Sequence, residues 1–87
     1  MALDRLVERL LSGWVFQGRN GHNEFVLLGP YAEPNQITYQ VRIGRKVVYS
    51  GSARDAFEVF MRTSKLPPIP LAKVSRKRIE DHNNFTN

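Results

Sequence analysis

His22 and His82 are the two imidazoles of this 87-residue chain, and they lie far apart in sequence and in polar surroundings. Neither belongs to the i, i+4 pair that puts two ring nitrogens on one helical face for a metal. Cysteine is absent, so no thiolate can join them and no disulfide can staple the chain. Glu24 and Glu33 flank a strand-like run. Paired carboxylates can hold the cation of a hydrolase, but a strand gatekeeper and a loop charge account for these two. Ser12 and Ser52 read as helix-end and helix-cap residues, and no serine sits in a nucleophile elbow. Gly18-Arg19-Asn20-Gly21-His22 has the glycines of a phosphate loop. It lacks the Lys-Ser/Thr ending and no helix follows it, so it reads as a turn. These residues predict no enzyme, no metal, no cofactor and no small-molecule substrate.

The chemistry that remains is cationic. Thirteen Lys and Arg face eight Asp and Glu, a formal charge of +5. Such a balance favours nucleic acid or an acidic protein surface as partner. Two stretches concentrate it. Thr38, Gln40, Arg42, Arg45, Lys46 and Tyr49 combine cationic, amide, hydroxyl and aromatic groups on what reads as the polar face of one hairpin. Arg and Gln can pair bidentately with base edges, while Lys and Thr hold phosphates. Lys73 and the run Arg76-Lys77-Arg78 follow the proline-rich Leu66-Pro67-Pro68-Ile69-Pro70, as a basic arm would.

The elements that must position these groups are legible from periodicity. Leu3, Leu6, Val7, Leu10 and Leu11 follow i, i+3, i+4, i+7, i+8, one apolar helical stripe over residues 3–11, ended by Ser12-Gly13. Residues 14–17 and 24–28 read as short strands about the Asn20-Gly21 turn, with Gly29-Pro30 stopping the second and 32–35 a loop. Residues 37–43 alternate: Ile37, Tyr39, Val41 and Ile43 point one way, Thr38, Gln40 and Arg42 the other. Gly44-Arg45 fits a type II′ turn that brings residues 46–50 back, with Val41 opposite Val48 and Tyr49 beside Gln40. Ser52 caps a second helix with Asp55 three residues on, and Ala53, Ala56, Phe57, Phe60 and Met61 form its stripe. The expected core contains Leu6, Leu10, Val41, Val48, Phe57 and Phe60.

The expected fold is α+β: an N-terminal helix, a small antiparallel sheet of three to four strands, an amphipathic helix packed on it, and a basic C-terminal tail. Residues 1–64 form the compact unit and 65–87 a linker and tail. An antiparallel sheet with a glycine-turned hairpin, backed by one capped helix over residues 37–63, resembles the DNA-binding domains of plant ethylene-response factors and phage integrase arms. That resemblance implies a sheet face docked in the major groove of DNA. The leading expectation is a nucleic-acid-binding regulatory or accessory module, monomer or homodimer. The rival is a small inhibitor or adaptor that binds a host or defence protein, of the kind phages and mobile elements encode, such as anti-CRISPR proteins. No stretch has the ~20 apolar residues of a membrane span, and no signal peptide opens the chain, so a cytoplasmic location is expected.

Overall fold

A computed structural model describes residues 3–73. The chain opens with helix α1, Leu3–Leu11. Asp4 lies in its first turn, where a carboxylate suits the helix dipole. Gly13, at φ 110°, ends it in backbone that a side chain disfavours. Val7 and Leu10 are buried, Leu3 and Leu6 pack beside them, and Leu11 at the end of the stripe is exposed.

Five antiparallel strands follow the order β4-β3-β2-β1-β5: β1 Trp14–Arg19, β2 Phe25–Glu33, β3 Gln36–Ile43, β4 Lys46–Gly51 and β5 Ile69–Lys73. Helix α2, Ala53–Thr63, lies between β4 and β5 in sequence. The β1–β2 turn is organised by Asn20. Its Oδ1 accepts from the amides of His22 and Glu24, each at 2.9 Å. The positive φ of this turn falls on Asn23, at 64°, where the sequence pointed to Asn20-Gly21. Gly44 takes the positive φ (61°) that its two-residue turn requires.

Three features depart from expectation. First, Gly29-Pro30 does not stop β2, which continues to Glu33 with Pro30 opposite Tyr39. The β1–β2 register runs only from Arg19↔Phe25 to Phe16↔Leu28, so beyond Leu28 the strand has β3 alone for a neighbour. A residue with no N–H is tolerated on such an edge. Second, Val48 is an extra residue in β4. Val41 pairs with Tyr49 and Arg42 with Val47, and Val48 is left 39% exposed outside the core. Burying the larger ring of Tyr49 removes more apolar area from water than burying Val48 would. Third, Ile69–Lys73 pairs with β1 as a fifth strand, inside the sheet and not in a linker.

Both helices cover one face of the sheet: α1 touches α2, β1 and β2, while α2 crosses β2, β3 and β4. Ser52 caps α2 through its hydroxyl, which accepts from the amide of Asp55 at 3.3 Å. Phe57 is fully buried. Its ring meets Phe16 edge-on at 5.2 Å and Phe60 at 5.9 Å. Leu10, Val26, Leu28, Val41 and Ala56 complete the centre of the core. Burying each Phe contributes roughly 1.5–3 kcal/mol. Arg54 of α2 pairs with Asp4 of α1 at the surface, and this hydrogen bond raises the arginine's pKa above its ordinary value.

The end of α2 is fastened to β1. The hydroxyl of Ser64 accepts from the amides of Arg19 and Leu66, both at 3.2 Å, and donates to the Leu66 carbonyl at 2.8 Å. This contact needs Gly18: a Cβ there would lie 2.0 Å from Ser64 Oγ.

Candidate functional site

Both helices lie on one face of the five-stranded sheet, and among the described residues no helix or strand covers the other. Strand alternation determines what stands on it. With Phe16, Val26, Leu28 and Val41 buried beneath the helices, their sequence neighbours project the other way. The open face therefore carries Val15, Gln17 and Arg19 from β1; Phe25, Leu27, Gly29, Tyr31 and Glu33 from β2; Gln36, Thr38, Gln40 and Arg42 from β3; Val47 from β4; and Ile69, opposite Gln17, from β5. Phe25 is 48% exposed and Tyr31 37%.

Each aromatic ring on this face lies under an arginine. The Arg19 guanidinium sits 4.1 Å from the Phe25 ring centroid, its direct neighbour across the β1–β2 ladder. The Arg42 guanidinium sits 5.3 Å from the Tyr31 centroid. Cations over ring faces are attracted to the ring quadrupole by about 0.5–1 kcal/mol at exposed sites. Arg42 is further held by its Nε, which donates to Gln40 Oε1 at 2.8 Å. Arg19 is held by Nη1, which donates to the carbonyl and Oδ1 of Asn23, at 3.2 and 2.8 Å. Among the described residues neither arginine forms an ion pair, so both retain an uncompensated positive charge.

Gly29 opens the middle of the face. It lies in a hollow of about 250 Å³, lined also by Val15, Leu27, Pro30, Tyr31, Gln40 and Arg42. One wall is apolar, and the other combines an amide, a guanidinium and a phenol. The β1–β2 and β3–β4 turns lie at one end of the sheet, because Val26 pairs with Ile43. That end also carries Arg45 and Lys46. Among the described residues the one carboxylate of the face, Glu33, stands at the opposite end and accepts from the Thr38 hydroxyl at 3.3 Å.

The residues expected at the site divide accordingly. Thr38, Gln40 and Arg42 share the open face, with Thr38 engaged by Glu33 and Gln40 only 8% exposed. Arg45 and Lys46 form the exposed hairpin tip. Tyr49 is not on this face: the extra residue Val48 turns it onto the core, where its hydroxyl packs over Gly51. Lys73 lies at the end of edge strand β5 opposite Trp14, away from the hairpin tip. Arg76, Lys77 and Arg78 lie outside the described residues. Arg19, Phe25 and Tyr31 are additions from the structure. Their signal was the run Phe25-Val26-Leu27-Leu28, apolar on both faces in a chain with helices enough for one.

No protein-family model, curated protein or solved structure matches this chain. The open face therefore has to be read from its own chemistry. Among the described residues no group of three or more His, Asp or Glu is placed to hold a metal ion. No described helix is long and apolar enough to cross a membrane.

Proposed function

We propose that the chain is a non-enzymatic nucleic-acid-binding module of a regulatory or accessory kind, with the open sheet face as its contact surface. The observation that carries the reading is the pair of arginines on that face, each over an aromatic ring and, among the described residues, neither paired with a carboxylate, on a chain of formal charge +5. Guanidinium groups held by side-chain hydrogen bonds present their remaining donors to phosphates or base edges with little ordering left to do. Arg45 and Lys46 extend the positive field beyond the end of the sheet. A cytoplasmic location goes with this reading and is supported by the cysteine-free composition.

Binding of a labelled mixture of single- and double-stranded nucleic acid, followed by anisotropy across a salt titration, tests the proposal. The logarithm of the affinity should fall linearly with log salt, and Arg19→Ala with Arg42→Ala should weaken binding while the fold survives. Absence of any salt-dependent binding at low ionic strength would overturn it.

Exposed Phe25, Tyr31, Val47 and Ile69 favour a second reading, a protein-binding inhibitor or adaptor that buries this apolar surface in a partner. Capture from lysate with and without nuclease separates the two readings.

A further inference from the structure

Resting on the nucleic-acid reading, we infer that the open face takes single-stranded nucleic acid, with bases stacked at Phe25 and Tyr31 and the Gly29 hollow seating a base between them. In a duplex the flat faces of the bases are turned inward on each other, and a docked protein meets only base edges, sugars and phosphates. Exposed rings then find no flat partner. A single strand can splay its bases outward, and a planar aromatic or guanidinium surface is what such bases stack on. This face offers two such surfaces, each an exposed ring with a guanidinium group over it.

The geometry matches an extended strand. Phe25 and Tyr31 project from the same side of β2, six residues apart. At about 3.3 Å per residue this is roughly 20 Å, a span of a few nucleotides, and aromatic-bearing sheets of other folds stack two or three bases. Between the rings lies the 250 Å³ hollow, smaller than the pocket of a drug-sized ligand. Val15 and Leu27 give it an apolar wall for a ring face. Gln40 and Arg42 give it an amide and a guanidinium for a ring edge. Charge complementarity selects a polyanion: the arginines stand over both rings, and among the described residues the only carboxylate of the face is at its far end, hydrogen-bonded to Thr38.

The test uses the full chain with labelled oligothymidylate, oligouridylate and a mixed-sequence DNA duplex of the same length. Single strands are expected to bind more tightly than the duplex. The DNA and RNA arms show whether the 2′-hydroxyl contributes. Phe25→Ala and Tyr31→Ala are each expected to weaken single-strand binding about 5- to 150-fold, the range for losing one stacked base. Both rings are exposed, so melting curves should barely move. Phe25→Leu keeps the apolar body and loses the ring face, so it should behave like Phe25→Ala. Tyr31→Trp should retain binding. Duplex binding equal to or tighter than single-strand binding would overturn the inference and leave the nucleic-acid reading in place. So would wild-type affinity in Phe25→Leu. Failure to bind any of the three probes would remove both.

Discussion

Arg42 Nε donates to Gln40 Oε1 at 2.8 Å, joining two side chains two residues apart on one face of β3. The bond tethers the guanidinium, whose carbon lies 5.3 Å from the Tyr31 centroid, and uses one of its five donors. Among the described residues its terminal nitrogens hydrogen-bond to nothing else. Arg42→Ala should therefore lose about 1–3 kcal/mol of nucleic-acid affinity and only about 1 kcal/mol of stability with the hydrogen bond. Arg42→Lys should not restore binding, because an ammonium has no planar fork to stack and orient. Parallel urea melts and binding isotherms check both; full affinity in the lysine variant would reduce Arg42 to a simple charge.

Phe57 is buried between Phe16 and Phe60 under the sheet. Phe57→Ala should cost about 3–5 kcal/mol, a large part of the stability of a small domain. Thermal or urea denaturation reads this directly. An unchanged midpoint would mean that the α2–sheet contact is not the centre of the core.

Gly18 and Ser64 are coupled through space that a methyl group would fill. Gly18→Ala should destabilise by about 1–3 kcal/mol through overpacking. Ser64→Ala should also cost, because it removes a hydroxyl that serves two amides and a carbonyl. The double variant should cost less than the sum, since part of the clash leaves with the hydroxyl. A double-mutant cycle measures that difference, and strict additivity would separate the two sites.

Arg76, Lys77 and Arg78 follow the last described strand. Ending the chain after Lys73 keeps β5 intact, whereas ending it after Pro70 would cut that strand. Removing three cations that meet phosphates should flatten the log affinity against log salt slope by about 2 for single strands. A slope equal to that of the whole chain would show that the tail makes no phosphate contact.

Where neighbouring residues decide structure, the sequence could be read. The helix over Leu3–Leu11 with its stripe buried as far as Leu10, the Ser52 cap, the strand through Ile37–Ile43 and the Gly44 turn all obey short-range rules, and all form as expected. The misread positions depend on remote partners. Pro30 looks like a strand stop until β1 is seen to end its pairing with β2 at Leu28. Tyr49 alternates onto the polar face until a bulge at Val48 shifts it toward Val41. Gly51, two residues beyond, clears the space for that ring and was the available hint. Ile69–Lys73 has five exposed residues and no helical or alternating pattern, so only its pairing with β1 reveals it as a strand. Part of the candidate site was likewise legible: Gln40 and Arg42 from strand parity, but not the rings that Arg19 and Arg42 cover.

The two margins of the sheet share a device. β5 contains Pro70, which can donate no backbone hydrogen bond, followed by the extra residue Leu71. β4 starts with Lys46 and is kinked by the extra residue Val48. Prolines, lysines and bulges on border strands deny an incoming strand a continuous ladder. Continuous edges on a sheet with exposed apolar side chains would otherwise be a template for adding copies of itself into fibrils. With both borders interrupted, neither edge of this sheet offers a second copy an unbroken ladder along which to extend it.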